Sequence, residues 1–372
     1  MKILFVTMAL GIGGAETHVV ELSRALAAMG HDVTVASAGG VYVAPLEEAG
    51  VRHVTLPLAT KRPGAVLAAK SGLTSLILGG RFDVVHGHAR IPNFILSRVR
   101  KKVPFRFAAT AHLDFAVNAI WRRLSKWGER TIAVSEDIKA YLIREYGVSA
   151  DSIDVTINGV DMDKFSPDVD FSDVLGEFSL DPSHRRLVYI SRIDPDRSAP
   201  AFLLTERAAA LAADYGDLDI VIVGGGSDLD RLRAEADAAN AAAGRKIVTL
   251  TGARSDINKF CAAADVFVGV SRSAFEAMSC AAPVILAGNQ GYLGTFTESV
   301  FETAAATNFC CRGAALPDAD VLERDVRALL DMSADERRAL GGYCRSVIAE
   351  HYSAERMARD YLACWAKMGI GR

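Results

Sequence analysis

The sequence has no cysteine before Cys261, and none of its six cysteines stands in a CxxC pair. A disulfide framework and a closed zinc site both need closer or paired spacings, so the thiols read as reduced, in a cytosolic protein. No apolar run approaches the roughly 20 residues that a membrane span requires. The start, MKILFVTMALGIGG, has no convincing cleavage site for a secretory signal and reads instead as a first core strand. Neither sign of charge is in excess: 42 Lys and Arg stand against 45 Asp and Glu, net −3, which gives no footprint for nucleic acid. The dinucleotide fingerprint GxGxxG is also missing. Gly11 and Gly13 fit, but Glu16 occupies the third glycine's place and no acid follows DVTVAS to hold a ribose, which argues against a dehydrogenase.

What is present is alternation. KILFVT, DVTVAS, RHVTLP, DVVHGH, FRFAATAH, TIAVS and DVTI are apolar strand-length runs with helical segments between them, Ala15–Met29 and Ala65–Leu78 being the clearest. Such runs imply a parallel sheet covered on both faces. The rhythm stops at Ser166–Arg186, rich in Asp, Ser and Pro, and restarts with RLVYIS, LDIVIVG, KIVTLTG, DVFVGV and PVILAG. The reading is α/β with two Rossmann-like domains: residues 1–167, a linker at 168–185, and residues 186–352. A last helix at 353–369 packs back on the first domain. Ligands of such sheets bind beyond the carboxyl ends of the strands, which points to a cleft between the lobes.

The loops at those ends carry the candidate chemistry. Gly13 and Gly14 open a helix whose first amides could receive a phosphate, or they simply turn the chain. RLVYIS is followed by Arg192 and Arg197, two guanidinium groups suited to a diphosphate unless Asp194 and Asp196 satisfy them. Gly225, Gly226 and Ser227 follow LDIVIVG, where backbone can approach a ligand closely. His112 follows FRFAATA; His86 and His88 flank another strand end and read as structural or supporting groups. In GVSRSAFEAMSC, Ser273 and Glu276 have the spacing of a capping box, which would make the glutamate a helix cap. Asp161-Met162-Asp163 looks like a metal-binding DxD but sits in a turn. RKKVPFR with Trp121, Arg122, Arg123, Lys126 and Trp127 forms a basic and aromatic patch within residues 98–127. It is either a solvated face or a docking surface for an anionic membrane.

In order and spacing, GIGGAETHV, INGVDMDKF, YISRIDPDR, VGGGSD, LTGARSDI and SAFEAMSCAAPVI resemble the GT4 family of retaining glycosyltransferases over almost the whole chain. The resemblance implies a GT-B fold, no metal and no cofactor, and a nucleotide sugar as co-substrate, with UDP-sugars the default. Glu276 would then bind the ribose hydroxyls, as a carboxylate accepting two hydrogen bonds can. Ser273 and Ala274 would present helix amides to the diphosphate, and Arg192 and Arg197 would stabilise it as it leaves. His112 would contact the sugar, and Gly13, Gly14, Gly225, Arg254 and Arg272 would complete the donor site. The acceptor would be lipid-linked, a saccharide or a small molecule, at the cytoplasmic side of the cell envelope, with peripheral membrane contact through the basic patch.

One departure stands out. The family usually carries a second glutamate eight positions before Glu276, where this chain has Val268. The short R-S-A turn also resembles that of peptidoglycan-type GT-B enzymes, and Arg272 or Asn289 could replace the lost contact. A sugar-nucleotide epimerase and a non-catalytic nucleotide-sugar-binding protein or partner subunit stay open as alternatives.

Overall fold

A computed structural model describes residues 1–114 and 117–370. The chain divides into two compact units, Met1–Gly159 with Ser353–Arg372, and Val160–Tyr352. Each is built on its own sheet.

In the first unit the strands are β1 (Lys2–Val6), β2 (Asp32–Ser37), β3 (Arg52–Thr55), β4 (Val84–Gly87), β5 (Phe107–Ala111), β6 (Arg130–Ala133) and β7 (Ile153–Val155). They are ordered β3-β2-β1-β4-β5-β6-β7 and all pairings are parallel. Alternate residues of one strand feed opposite faces. Ile3 and Phe5 pack with the helices Gly14–Ala28 and Ala354–Ala366, whereas Leu4 and Val6 pack under the helices Pro63–Gly80 and Arg90–Val99. Burial on both faces is why these strands read as continuous apolar runs. The last helix is part of this core: Tyr361 and Trp365 are fully buried in it.

In the second unit the strands are β8 (Arg185–Ile190), β9 (Leu218–Val223), β10 (Val248–Leu250), β11 (Val266–Gly269), β12 (Val284–Gly288) and β13 (Gly291–Thr295), ordered β10-β9-β8-β11-β12-β13. Only β13, at the edge, runs antiparallel. In both sheets the strand order reverses once, between β1 and β4 and between β8 and β11. Crevices at the carboxyl ends of such switch points are where open α/β sheets place ligands.

The expected linker at 168–185 is corrected. Ser172–Phe178 is a helix with Val174 and Leu175 buried, and the whole stretch from Val160 belongs to the second unit, so the first domain ends at Gly159 rather than 167. The polar residues that suggested a linker are turn and tether groups. Asp170 and Asp181 accept from the amides of Ser172 and Ser183, and Asp173 pairs with Lys259. The capping box also lies elsewhere: Ser333 and Glu336 form it, opening a helix from Ala334 to His351.

Candidate functional site

The second unit's switch point is lined by the loops after β8, β9 and β11. The glycines that allow these loops to meet are Gly224 and Gly226. A Cβ on Gly224 would stand 1.8 Å from the Ser191 carbonyl oxygen, and one on Gly226 2.2 Å from that of Ile193. Gly225, named from the sequence together with Gly226, uses its carbonyl to accept from the Ile193 amide at 3.0 Å.

Arg192 and Arg197 sit on the loop after β8 with side chains 55% and 45% exposed. Their acidic neighbours hold them loosely: Arg192 is 3.9 Å from Asp194, and Arg197 is 3.4 Å from Asp196. Asp194 serves the turn instead, accepting from the Ser227 amide and hydroxyl at 2.9 and 3.1 Å, and those bonds hold its carboxyl below the usual range. The loop's backbone is firmly tied. Tyr189 donates its hydroxyl to the Arg197 carbonyl, and Asn289 accepts from the Ala199 amide and donates to the Pro195 carbonyl, both at 3.0 Å. Asn289 therefore holds the arginine loop, and both ends of its amide are committed there rather than replacing a lost donor contact. Anchored backbone with exposed guanidinium heads suits a ligand that brings its own negative charge.

The helix after β11 spans Ser271–Ser279, with Val270 as its N-cap. Glu276 is thus its sixth residue, not a first-turn cap, and Ser273 donates to the Val270 carbonyl instead of forming a capping box. Ser271 opens the helix at φ 52° and gives its amide to the Phe309 carbonyl at 2.8 Å. Ala274 and Glu276 are buried, and Arg272 donates from Nε to Glu276 Oε1 at 2.7 Å. A carboxylate removed from water is stabilised by such a pair, and its orientation is fixed. Val268, where a second glutamate would be expected, is buried inside β11 in register with Tyr189 and Ile285.

Arg254 is held by carboxylates of its own unit. It makes paired contacts to Glu177 at 2.7 and 3.0 Å and to Asp256 at 2.9 and 2.8 Å, so its donors are already directed at two carboxylates.

At the first unit's switch point, Gly13 is the N-cap of the Gly14–Ala28 helix and Gly14 its first residue. Beyond them lies a group of histidines. His18 is on that helix, His86 in β4, and His88 and His112 just past the ends of β4 and β5. His88 Nδ1 lies 3.2 Å from His112 Nε2, and the His18 and His112 rings meet edge to face with centroids 4.8 Å apart. His86 and His88 are stacked. Burial lowers the pKa of all three of His86, His88 and His112, and repulsion from neighbouring imidazoles, His18 in each case among them, adds to it; His86 is pushed down to about 3. Among the described residues, His18, His88 and His112 could offer metal-ligand nitrogens within 4.8 Å of one another. Both nitrogens of His18 are, however, already bonded at 2.7 Å, to Asn158 and to Tyr361, which makes the group a hydrogen-bonded assembly. His18, Asn158 and Tyr361 were not singled out as site residues from the sequence; the GGAETH and INGV stretches that carry the first two were the available signal.

The two remaining sequence features resolve differently. Asp161 accepts from the amides of Asp163 and Lys164, a turn and not a metal site. In the basic patch Lys61 and Arg90 both lie over the Trp121 ring, and Trp127 packs on Tyr146. Both indoles are half-buried and engaged by these neighbours; Phe115 and Ala116, within that stretch, lie outside the described residues.

Residues 12–164 match the family model described as Glycosyltransferase Family 4, and residues 184–306 the model described as Glycosyl transferases group 1. A D-inositol 3-phosphate glycosyltransferase from Frankia alni is 29% identical over 59% of this chain and 62% of its own length. The E. coli UDP-Gal:alpha-D-GlcNAc-diphosphoundecaprenol alpha-1,3-galactosyltransferase is 26% identical over 65% and 67%. The first of these alignments spans about three fifths of the relative's length. Among solved structures, a glycosyltransferase from Rickettsia africae superposes with a TM-score of 0.78 at 17% identity, over 100% of this chain and 99% of that one. Anabaena HepE in complex with UDP gives 0.73 at 15% identity, over 99% and 100%. With one glycosyltransferase family model on each sheet unit, the chain belongs to glycosyltransferase family 4; the end-to-end match to solved glycosyltransferases shows the GT-B fold.

Proposed function

We propose that the protein transfers a sugar from a nucleoside-diphosphate sugar, a UDP-sugar by preference, to an acceptor hydroxyl with retention of configuration. The observation that carries this reading is the pairing, at one switch point, of two exposed arginines on a tied loop with a buried, oriented glutamate. Glu276 would hold the ribose diol. Arg192, Arg197 and the amides at the start of the Ser271–Ser279 helix would take the charge that develops as the anomeric carbon–oxygen bond breaks. The acceptor oxygen forms its bond on the same face of the resulting oxocarbenium-like ion, and its proton passes to the departing phosphate oxygen. The products are the glycoside and the nucleoside diphosphate. His112, neutral because of its surroundings, is suited to hydrogen-bonding a sugar hydroxyl without adding charge. No resident metal or cofactor enters the proposal. The UDP bound by the Anabaena structure and the UDP-Gal in the E. coli relative's name support the donor class.

Calorimetry with UDP, GDP and ADP tests this. One nucleotide should bind, and Glu276→Ala should weaken it at least tenfold while the protein stays folded. Equal binding by the variant, or none by the wild type, would favour a non-catalytic reading, which the valine at 268 also motivates.

For the acceptor, the reading keeps lipid-linked, saccharide and small-molecule hydroxyls. No helix among the described residues is long and apolar enough to cross a membrane. Cytoplasmic placement with peripheral contact is proposed through Arg98, Lys101, Lys102, Arg123, Lys126 and the exposed Ile120 rather than through the tryptophans. Co-sedimentation with vesicles should then require anionic lipid; equal recovery with neutral vesicles, or none with either, removes that surface.

A further inference from the structure

Five hydrogen bonds run in series through the first unit's core. Trp365 Nε1 is 3.1 Å from His86 Nδ1; His86 Nε2 is 2.8 Å from Thr110 Oγ1; Thr110 Oγ1 is 2.7 Å from the Tyr361 hydroxyl. The Tyr361 hydroxyl is 2.7 Å from His18 Nε2, and His18 Nδ1 is 2.7 Å from Asn158 Oδ1.

The direction of this series follows from one fact: an indole nitrogen only donates. Trp365 donates, so His86 Nδ1 accepts and its proton sits on Nε2. That proton goes to Thr110, whose own hydroxyl is left to donate to Tyr361. Tyr361 in turn donates to His18 Nε2. The His18 proton is therefore on Nδ1, where the Asn158 oxygen accepts it. Each side chain donates once along the line, and both imidazoles are neutral. A proton added to His18 Nε2 would set two donors against each other at Tyr361, so the network and burial favour the same charge state. The end of the series reaches the candidate catalytic histidine. His18 meets the His112 ring edge to face, and His86 stacks on His88, which contacts His112 at 3.2 Å.

We propose that Tyr361 and Trp365, on the last helix, are positioning residues that fix the ring orientation and tautomer of His18 and His86 and, through these, hold His112 in place. The role assigned to His112 rests on the glycosyltransferase reading; the fixed tautomers do not. On this view the final helix is more than a packing strap, because it supplies the donor that sets the direction of the whole line.

The test separates the two. With ring-15N histidine labelling, NMR of the wild type at pH 7.5 should show His18 as the Nδ1–H tautomer, the less common form in water, and His86 as Nε2–H. In Tyr361→Phe, which removes only the hydroxyl, His18 should lose its fixed Nδ1–H form, and the His112 ring signals should shift. In Trp365→Phe the His86 signals should change first. The effect on transfer should appear as a fall of about tenfold in kcat with donor KM within about twofold, since UDP-binding groups in the second unit are untouched. His18 found as Nε2–H in the wild type would overturn the proposal without any variant. So would His112 signals unmoved in a folded Tyr361→Phe protein. If tautomers behave as expected but no donor is turned over by the wild type, the glycosyltransferase reading fails and the positioning network stands.

Discussion

At the switch point of the first sheet the side chains are imidazoles, a phenol and an indole, mostly buried, and the histidines there are held neutral; at that of the second they are guanidinium and carboxylate groups, two of them about half in water. The same strand order thus presents two chemistries. A dry, neutral wall of imidazoles tied to one another and to Tyr361 gives directional hydrogen bonds at fixed places, which suits the hydroxyls of a sugar. Exposed arginine heads on an anchored backbone adapt to a charged, flexible diphosphate and lose less solvation in waiting for it. The contrast explains why the second unit can keep its candidate ligand groups in water while the first buries its own: arginine stays charged anywhere, whereas histidine keeps one protonation state only if its surroundings enforce it.

The charged side can be broken with the largest effect. Removing a preorganised donor to developing negative charge lowers the rate by about 10²–10³. Arg192→Ala is expected to fall in that range in kcat, with stability unchanged because the side chain is half exposed and comes no closer than 3.9 Å to Asp194. Steady-state transfer assays with denaturant melts on the same samples check this. A rate change below about threefold would move the diphosphate away from Arg192.

The neutral side should break with acid. His86 has a folded pKa of about 3 against about 6.5 in an unfolded chain. Unfolding therefore takes up a proton once the pH falls below 6.5. The stability held by the neutral ring is complete above that value and is lost progressively down to the folded pKa. By pH 5 this amounts to about 2 kcal/mol for one such group. His88, lowered for the same reasons and facing His18, His86 and His112, adds to the effect. All three tryptophans, Trp121, Trp127 and Trp365, lie in the first unit, so their fluorescence reports its unfolding. The urea midpoint followed in this way should drop between pH 7 and 5. A flat profile would mean that these imidazoles are not buried in neutral form.

The strands were legible because burial on both faces leaves a local mark: DVTVAS is β2 residue for residue. The stretch at 168–185 was not, because Asp and Ser serve a docked helix and a free linker through the same turn bonds. The start of the Glu276 helix was misplaced by three residues, with the N-cap at Val270 and not Ser273. Ser271 takes a left-handed φ that serine seldom adopts, and what holds it there is a carbonyl 38 positions away, on Phe309. In the same way, Arg192 and Arg197 could be found from their place after a strand, whereas the line from Trp365 to Asn158 joins residues up to 343 positions apart and leaves no periodicity to read.

Arg254 gives the smallest expected effect and the cleanest control on the comparison, since it is an arginine of the second unit that its neighbours have already satisfied. Motif order alone would group it with Arg192 and Arg197. Its geometry separates it: Glu177 and Asp256 each take two of its contacts, Asp256 first and then Glu177 raise its pKa, and the guanidinium lies over the rings of Phe178 and Phe260. A diphosphate would have to displace two carboxylates to reach it. Arg254→Ala should therefore leave UDP affinity within about twofold, while the loss of two partly exposed ion pairs and the ring contacts lowers stability by about 1–2 kcal/mol. Titration calorimetry paired with urea unfolding reads both quantities. A tenfold loss of UDP affinity with native stability would return Arg254 to the donor site, and with it the view that any arginine at this rim is equivalent. The expected result says instead that an arginine here serves a ligand only where the fold has left its head group without a carboxylate in close contact.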